Sequence, residues 1–321
     1  MNRIYLCEKE KNIRNVYGDP ARVYTKAEVL SDPEPFKSTE FVFSTWGMPS
    51  FTEEEIKRCL PSLKAVFYGA GSVQAFAAPF LNCGVKVFSA WGANAVPVAE
   101  YTVAQIILAN KGFFSSSRIA KTGNRKAAKE EFNAYPGNYN VKVGIIGVGM
   151  IGKLVVRMLK SYRLEVLVFD PFLPEEKAEE LGVKKVDLAV LFKECQVVSN
   201  HLANNEQTRG MLHGPLFESM LPHAAFINTG RGAQVVERDL INVLKQRPDL
   251  TALLDVTFPE PPEEGSELYT LPNCILTPHI AGSSGNEVRR MGEYMEAEYQ
   301  SLIQNKPCQY EVTLEMLKTM A

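Results

Sequence analysis

The chain has 321 residues, 45% of them hydrophobic and 22% charged, with a formal net charge of −2. That length exceeds the usual reach of one hydrophobic core and calls for two domains. There is no long basic or acidic run, so the electrostatic footprint of a nucleic-acid or membrane-surface protein is missing. The opening residues, MNRIYLCEKEKN, hold no apolar stretch of signal-peptide length. The longest apolar region, Val96 to Phe114, is broken by Glu100, Gln105, Asn110 and Lys111 and falls short of a membrane span. Six scattered cysteines (Cys7, Cys59, Cys83, Cys195, Cys274 and Cys308) with no C-x-x-C pair read as reduced thiols. The expected compartment is the cytosol, and no metal site is expected.

Short runs rich in Val, Ile and Phe alternate with helical patterns along the whole chain. The first set of expected strands is Arg3–Cys7, Phe41–Thr45, Lys64–Tyr68 and Val85–Ser89, with helices near Thr52–Cys59 and Val73–Leu81 between them. A long helix is expected from about Pro97 to Ser117. The interval Gly123–Asn140, polar and containing Pro136-Gly137, reads as a helix-poor surface connection. A second set of strands follows: Lys142–Gly147, Glu165–Asp170, Gln196–Ser199, Ala224–Asn228, Thr251–Asp255 and Cys274–Thr277. A last helix spans about Asn286 to Gln304. Strands alternating with helices imply parallel sheets covered on both faces, and runs such as VGIIG and LLDV suit strands buried on both sides.

The segment VKVGIIGVGMIGKLVVRML holds Gly147-x-Gly149-x-x-Gly152. Such a triplet is weak alone, but here a buried-strand pattern runs into Gly147 and a good helix former starts after Gly152. Gly147 permits a tight strand-to-helix turn, Gly149 lets backbone approach a pyrophosphate, and Gly152 lets the helix lie against the sheet. The free N–H groups near Met150 and Ile151, at the positive end of the helix, then bind phosphate oxygens. The next strand, EVLVFD, ends at Asp170, 18 residues past Gly152, where a carboxylate can bond an adenosine ribose. A carboxylate there repels a 2′-phosphate, and Pro171-Phe172 supply no compensating cation, so NAD is favoured over NADP.

Three later strands each end near a reactive residue: Arg231 in FINTGRG, Asp255 and Glu260 in LLDVTFPEPP, and His279 in ILTPHIAG. Open parallel sheets bind ligands outside the carboxyl ends of their strands, which is the edge that Gly147–Gly152 occupies. Reduction of a 2-oxo acid needs a cation for the carboxylate, and arginine's fork can hold one bidentately. It also needs a proton for the oxygen, and histidine titrates near neutrality. Glu260 is placed to raise the histidine pKa. Singly, each of these residues has an ordinary structural explanation, since a strand-end arginine, a lone histidine and a loop glutamate are all common. Together, on one edge of a dinucleotide sheet, they point to catalysis. Trp46 and Trp91 each follow an expected strand and Tyr68 ends one, which suggests a roomy or aromatic substrate pocket or, equally, core packing.

These stretches resemble the D-isomer-specific 2-hydroxyacid dehydrogenase family. The resemblance rests on VGIIGVGMIGK, VVSNHLANNEQTRGML, FINTGRGAQVVERDL, ALLDVTFPEPP and LPNCILTPHIAG, with KAVFYGAGSV and VPVAEYTVAQIIL before them. It implies α/β architecture with two doubly wound parallel-sheet domains, a Rossmann-type NAD domain inserted into a flavodoxin-like substrate domain. The boundaries it suggests are 1–101 plus 287–321 for the substrate domain and 102–286 for the NAD domain. It implies that Arg231 binds substrate, His279 donates the proton and Glu260 orients it. His201, Leu202, Ala203, Thr208, Thr229, Gly230 and Asp255 would flank the cofactor, with Asp255 near its carboxamide. The backbone of Ala70, Gly71 and Ser72 would hold the substrate carboxylate. Members are generally homodimers, and the implied reaction moves a hydride between NAD(H) and C2 of a small 2-oxo or 2-hydroxy acid with D stereochemistry. The resemblance leaves open a dinucleotide-sensing protein without turnover, and a dehydrogenase acting on phosphonate or formate. Three departures stand out: His201-Leu202-Ala203 where the family has His-x-Pro, GSVQ where it has an aspartate, and KTGNRKAAKEEFNAYPGN in place of a tryptophan-bearing segment.

Overall fold

The strand-forming runs of the N-terminal region are β1 (Arg3–Leu6), β2 (Val23–Tyr24), β3 (Phe41–Ser44), β4 (Ala65–Tyr68) and β5 (Lys86–Ser89) in the computed structural model, which describes residues 2–318. The second set is β6 (Tyr139–Ile146), β7 (Arg163–Phe169), β8 (Lys184–Lys185), β9 (Val197–Asn200), β10 (Ala225–Asn228), β11 (Thr251–Leu254) and β12 (Cys274–Leu276), and β13 (Glu311–Val312) closes the series. The two-residue strands β2, β8 and β13 are too short to leave a periodic signal in sequence.

The chain divides into two compact units, 1–94 with 283–321, and 95–282. The expected division, at 101/102 and 286/287, differs from this by a few residues at each end. At the first, the helix Trp91–Asn110 runs through without a break, and Ala99, Val103 and Ile106 already belong to the core of the second unit. No composition signal marks a boundary inside a continuous helix.

In the first unit the sheet order is β13-β5-β4-β3-β1-β2. Strands β1 to β5 are parallel, the flavodoxin-like order 2-1-3-4-5. β13 joins antiparallel, with Glu311 opposite Phe88. Strands β3 and β4 are buried at every position, as a sheet covered on both faces requires. Phe43, Phe67 and Phe88 stack across neighbouring strands at 4.9 and 5.0 Å between ring centres. Tyr299 of the helix Val288–Ile303 meets Phe43 and Phe67 edge-on, at 5.5 and 5.6 Å. The C-terminal segment thus returns to the sheet that the N-terminal hundred residues build.

In the second unit the order is β12-β11-β10-β9-β6-β7-β8, all parallel. Counted from β6 this is 7-6-5-4-1-2-3, the Rossmann order with one further strand. Alternate residues feed opposite faces: Ile146, Val198, Phe226 and Leu254 join one apolar cluster, while Ile145, Val197, Ile227 and Leu253 join the other. The two-residue period of a strand forces this division.

Two helical expectations need correction. The expected helix Pro97–Ser117 is instead Trp91–Asn110 followed by a separate helix Phe113–Ala120. Gly112 breaks it with a left-handed φ of 63°, and a Cβ there would collide with the Tyr135 ring, so only glycine fits. The supposed helix-poor interval contains the helix Arg125–Asn133, whose start is capped by Asn124 accepting from the Ala127 N–H. Among the described residues no helix is long and apolar enough to cross a membrane, and no group of three or more potential metal ligands occurs.

In the first unit the helix Val288–Ile303 crosses the helix Glu10–Tyr17 at Gly292, where a Cβ would lie 2.2 Å from the Val16 carbonyl oxygen. Backbone cannot yield as a flexible side chain can. Gly292→Ala is expected to destabilise the protein by about 2 kcal/mol or more, read as a lower midpoint in urea with an unchanged slope.

Candidate active site

The glycine turn is built from steric necessity. Gly147 has φ 83°, and a Cβ there would stand 2.8 Å from the His201 carbonyl. At Gly152 a Cβ would stand 2.0 Å from the Gly147 oxygen. Gly149 is different: nothing lies within 4 Å of the position its Cβ would take, so the turn faces open space directly before the helix Met150–Leu159. The first-turn amides of that helix, Met150 and Ile151 among them, have no carbonyl a turn earlier to bond. Asp170, just past β7, accepts from the Val148 N–H at 2.7 Å through one oxygen and from the Phe172 N–H at 2.8 Å through the other. Its carboxylate therefore pins the glycine turn to the end of β7, and each oxygen keeps a lone pair for a ribose hydroxyl. Uncrowded backbone at Gly149, a helix start and a strand-end carboxylate fit the phosphate and ribose of a dinucleotide.

The strand end of β9 continues into His201, whose N–H bonds the Ile146 carbonyl at 2.7 Å. Its ring is buried between Ser199 Oγ, 2.9 Å from Nε2, and Thr229 Oγ1, 3.3 Å from Nδ1. Burial without a charged partner drives its pKa down to about 3, so the ring is neutral at working pH. Leu202 and Ala203 follow on the same loop. Thr208 donates its hydroxyl proton to the Ala203 carbonyl at 2.7 Å and accepts from the Asn205 N–H, closing the loop upon itself. Thr229 hydroxyl also lies 3.3 Å from Thr102 Oγ1, and the Gly230 N–H bonds Asn228 Oδ1.

Arg231 leaves β10 with its guanidinium folded back, Nη1 donating to the Gly230 carbonyl at 2.8 Å. Burial lowers its pKa and the carboxylate of Glu260 opposes that shift, which places the two charges in one field; arginine remains protonated. Glu260 Oε1 in turn lies 2.6 Å from His279 Nδ1. Of the three residues that the sequence proposed as catalytic, Glu260 and His279 meet directly, while Arg231 feels the charge of Glu260 with no ion pair between them among the described residues. With Nδ1 committed to Glu260, Nε2 is the histidine nitrogen left for a ligand.

His279 has a left-handed φ of 54°, strained for any residue but glycine. Asp255 compensates. Its backbone carbonyl accepts the His279 N–H at 3.1 Å. Its buried carboxylate accepts from Thr277 Oγ1 at 2.6 Å, the Ile280 N–H at 2.8 Å and the Ala281 N–H at 2.9 Å. The family resemblance implies a place for Asp255 along the cofactor; in the structure three bonds to its carboxylate hold the turn that presents His279. Tyr101 extends the chain, with its hydroxyl 3.1 Å from Thr277 Oγ1. Tyr101, Thr277 and the amides of Asn200, Asn228 and Gln234 were not singled out from sequence. The one available signal was the polar ending of the apolar runs VVSN and AFIN.

Ala70, Gly71 and Ser72 lie in the first unit, in the loop after β4. Ser89 Oγ donates to the Ala70 carbonyl at 2.9 Å, and the Ala90 N–H bonds the same oxygen. The three loop amides meet no protein acceptor among the described residues. Of the aromatic residues, Tyr68 is buried against Phe76 and Trp91 packs edge-on against Tyr310, so both serve the core, while Trp46 remains 40% exposed.

Residues 103–281 match the family model described as D-isomer specific 2-hydroxyacid dehydrogenase, NAD binding domain. The chain belongs to the D-isomer-specific 2-hydroxyacid dehydrogenase family. Among its relatives, formate dehydrogenase of Chaetomium thermophilum is 30% identical over 80% of this chain and 72% of its own length. D-3-phosphoglycerate dehydrogenase of Archaeoglobus fulgidus is 29% identical over 73% of this chain, a match that spans 44% of that longer protein. The match to the Bacillus subtilis protein YoaD likewise spans only 59% of it. D-mandelate dehydrogenase of Rhodotorula graminis superposes with a TM-score of 0.78 at 20% identity, covering 97% of both chains, which shows a shared fold.

Family membership leaves the chemistry of each histidine to its surroundings. A histidine held neutral down to about pH 3 against 6.5 when unfolded contributes nothing above pH 6.5 and destabilises the native state below it. From His201, stability is expected to fall by about 1.4 kcal/mol per pH unit between roughly pH 6 and 4. Urea denaturation of the wild type and His201→Gln across that range reads this as a difference in slope.

Proposed function

We propose that this protein catalyses reversible hydride transfer between NAD(H) and C2 of a small 2-oxo or 2-hydroxy acid, with D stereochemistry. The observation that carries the reading is the Glu260–His279 pair on the sheet edge where the glycine turn opens, with Arg231 leaving the neighbouring strand end within the field of that carboxylate. Bound NADH supplies the hydride, and NAD takes it back in the oxidation. The glycine turn, Met150, Ile151 and Asp170 are the groups suited to its phosphates and ribose, and the loops of His201 to Ala203, Thr208, Thr229 and Gly230 to its flanks. Asp170 favours NAD over NADP by charge.

The chain's own residues supply the rest. Arg231 holds the substrate carboxylate with its fork. Partial burial strengthens that contact, because water competes less for the guanidinium. In the reducing direction His279 gives the Nε2 proton to the oxygen of C2, and in oxidation the same nitrogen takes the hydroxyl proton. Glu260, on Nδ1, fixes which nitrogen carries the mobile proton and stabilises the imidazolium. Asp255 keeps the His279 turn in place. Within its own unit, the loop Ala70–Ser72 offers unbonded amides of the kind a carboxylate needs. Exposed Trp46 supports a substrate carrying an apolar or aromatic side chain.

The deciding experiment follows NADH oxidation against glyoxylate, hydroxypyruvate, pyruvate, 3-phosphohydroxypyruvate and aromatic 2-oxo acids, with formate and NAD as the opposite arm. Turnover of a 2-oxo acid supports the proposal; NADH binding with no turnover of any of them overturns it. His279→Asn is expected to lower kcat about a hundredfold or more, with the NADH Kd unchanged by fluorescence titration. Loss of both together would make the histidine a structural residue. We further infer a cytosolic homodimer, supported by the family resemblance and by cysteines that are all unpaired. Sedimentation equilibrium is expected to return twice the mass of 35.7 kDa.

A further inference from the structure

Three side-chain amides lie inside the carboxyl edge of the second sheet, none more than 1% exposed: Asn200 at the end of β9, Asn228 at the end of β10, and Gln234 in the turn Gly232–Gln234. The proposed proton transfer uses none of them. Asn200 and Asn228 are direct neighbours in the sheet register. Asn200 Nδ2 donates to Asn228 Oδ1 at 3.0 Å and to Gln234 Oε1 at 2.6 Å, which joins all three.

Their remaining bonds go to backbone, and all of it belongs to two loops. Asn200 Oδ1 accepts from the Leu202 N–H at 3.3 Å, and Gln234 Nε2 donates to the Leu202 and Ala203 carbonyls, both at 2.9 Å. Asn228 Oδ1 accepts from the Gly230 N–H at 3.1 Å, and its Nδ2 donates to the Arg231 carbonyl at 3.2 Å. Gln234 Oε1 accepts from the Arg231 N–H at 3.3 Å. Both polar groups of the Arg231 backbone are thus held by buried amides. So is Gly230, whose own carbonyl takes the guanidinium. An aliphatic side chain could fill the same volume but could bond none of these groups.

We propose that Asn200, Asn228 and Gln234 form a positioning unit that sets where Arg231 presents its guanidinium relative to the Leu202–Ala203 loop. The inference rests on the proposed function, in which Arg231 holds the substrate carboxylate and that loop lies along the cofactor. Because Arg231 is close-set to Gly232, where a Cβ would lie 2.0 Å from the Thr257 backbone, the loop has little slack, and loss of an amide moves the arginine.

The test compares wild type, Gln234→Met and the double variant Asn200→Leu with Gln234→Met. The single variant strands one N–H of Asn200 Nδ2, the Leu202 and Ala203 carbonyls and the Arg231 N–H, while Asn200 keeps its bond to Asn228. The double variant removes both amides of that bond and so relieves the stranded Asn200 side-chain N–H. It leaves the Leu202 and Arg231 N–H groups and the Leu202 and Ala203 carbonyls without these partners, so only part of the lost thermal stability is expected to return. Function is expected not to return with it. KM for the 2-oxo acid is expected about tenfold or more above wild type with kcat changed much less, the mark of a lost ground-state contact. Calorimetric Kd for oxamate, measured on the NADH-saturated protein, is expected to rise in parallel, and the pH profile of kcat to stay in place because His279 and Glu260 are untouched. A wild-type oxamate Kd in the folded double variant would overturn the proposal and leave the amides as packing. If wild type binds oxamate but turns over no 2-oxo acid, the proposed reaction fails while the oxamate data still decide the positioning unit. Absence of oxamate binding in folded wild type overturns both. Should neither variant fold, hydrogen exchange on wild type decides: slow, concerted exchange of the Gly230 and Arg231 amides supports the unit, and exchange as fast as in exposed loops overturns it.

Discussion

The register of one parallel sheet is the constraint on which the rest of the second unit depends. Ile146, Asn200, Asn228, Leu254 and Leu276 lie side by side across five strands. One step further, hydrogen bonds carry the same alignment into the loops, from His201 N–H to Ile146, Asp255 N–H to Asn228 and Thr277 N–H to Leu254. The glycine turn, Arg231 and His279 are therefore launched from one line. A slip of one residue in any strand would turn its core side chains to the opposite face. The apolar clusters on both faces forbid that, so packing that never touches a ligand determines which side chains can meet at the edge.

Past that line the backbone leaves the ladder, and its polar groups need other partners. The protein supplies them with side chains of limited reach. The Asp170 carboxylate ties the glycine turn, the Asp255 carboxylate ties the His279 turn, and the amides of Asn200, Asn228 and Gln234 tie the two loops between them. Buried polar groups of this kind are costly unless fully bonded, and these are bonded throughout. The strained φ of His279 persists because Asp255 holds the turn through both its carbonyl and its carboxylate.

Two histidines near this edge show how surroundings separate roles. His201 sits between two hydroxyls with no charge at hand and stays neutral. His279 is half-exposed and shares a short contact with a carboxylate. The first suits a fixed wall; the second suits a group that must carry and release a proton. Residue type alone would have ranked them equally.

Much of this was legible in the chain itself. The alternation of apolar runs with helices announced parallel sheets, and the spacing of Gly147, Gly149, Gly152 and Asp170 announced a dinucleotide turn, because both signals come from local sterics that a short segment carries within it. The two helices replacing Pro97–Ser117, the helix Arg125–Asn133 and the division inside Trp91–Asn110 were not legible, since each depends on what the segment packs against. Arg231, Glu260 and His279 could be proposed from their places after strands, but the contact of Glu260 with His279 could not, because it joins two loops separated by a strand. The same holds for Asp255, whose role as a clamp on the His279 turn is invisible until the fold brings its oxygens to the amides of Ile280 and Ala281. Sequence determined which elements form and which chemistry they carry; only the tertiary structure decided which polar groups face one another, since a hydrogen bond depends on distances that the order of residues does not contain.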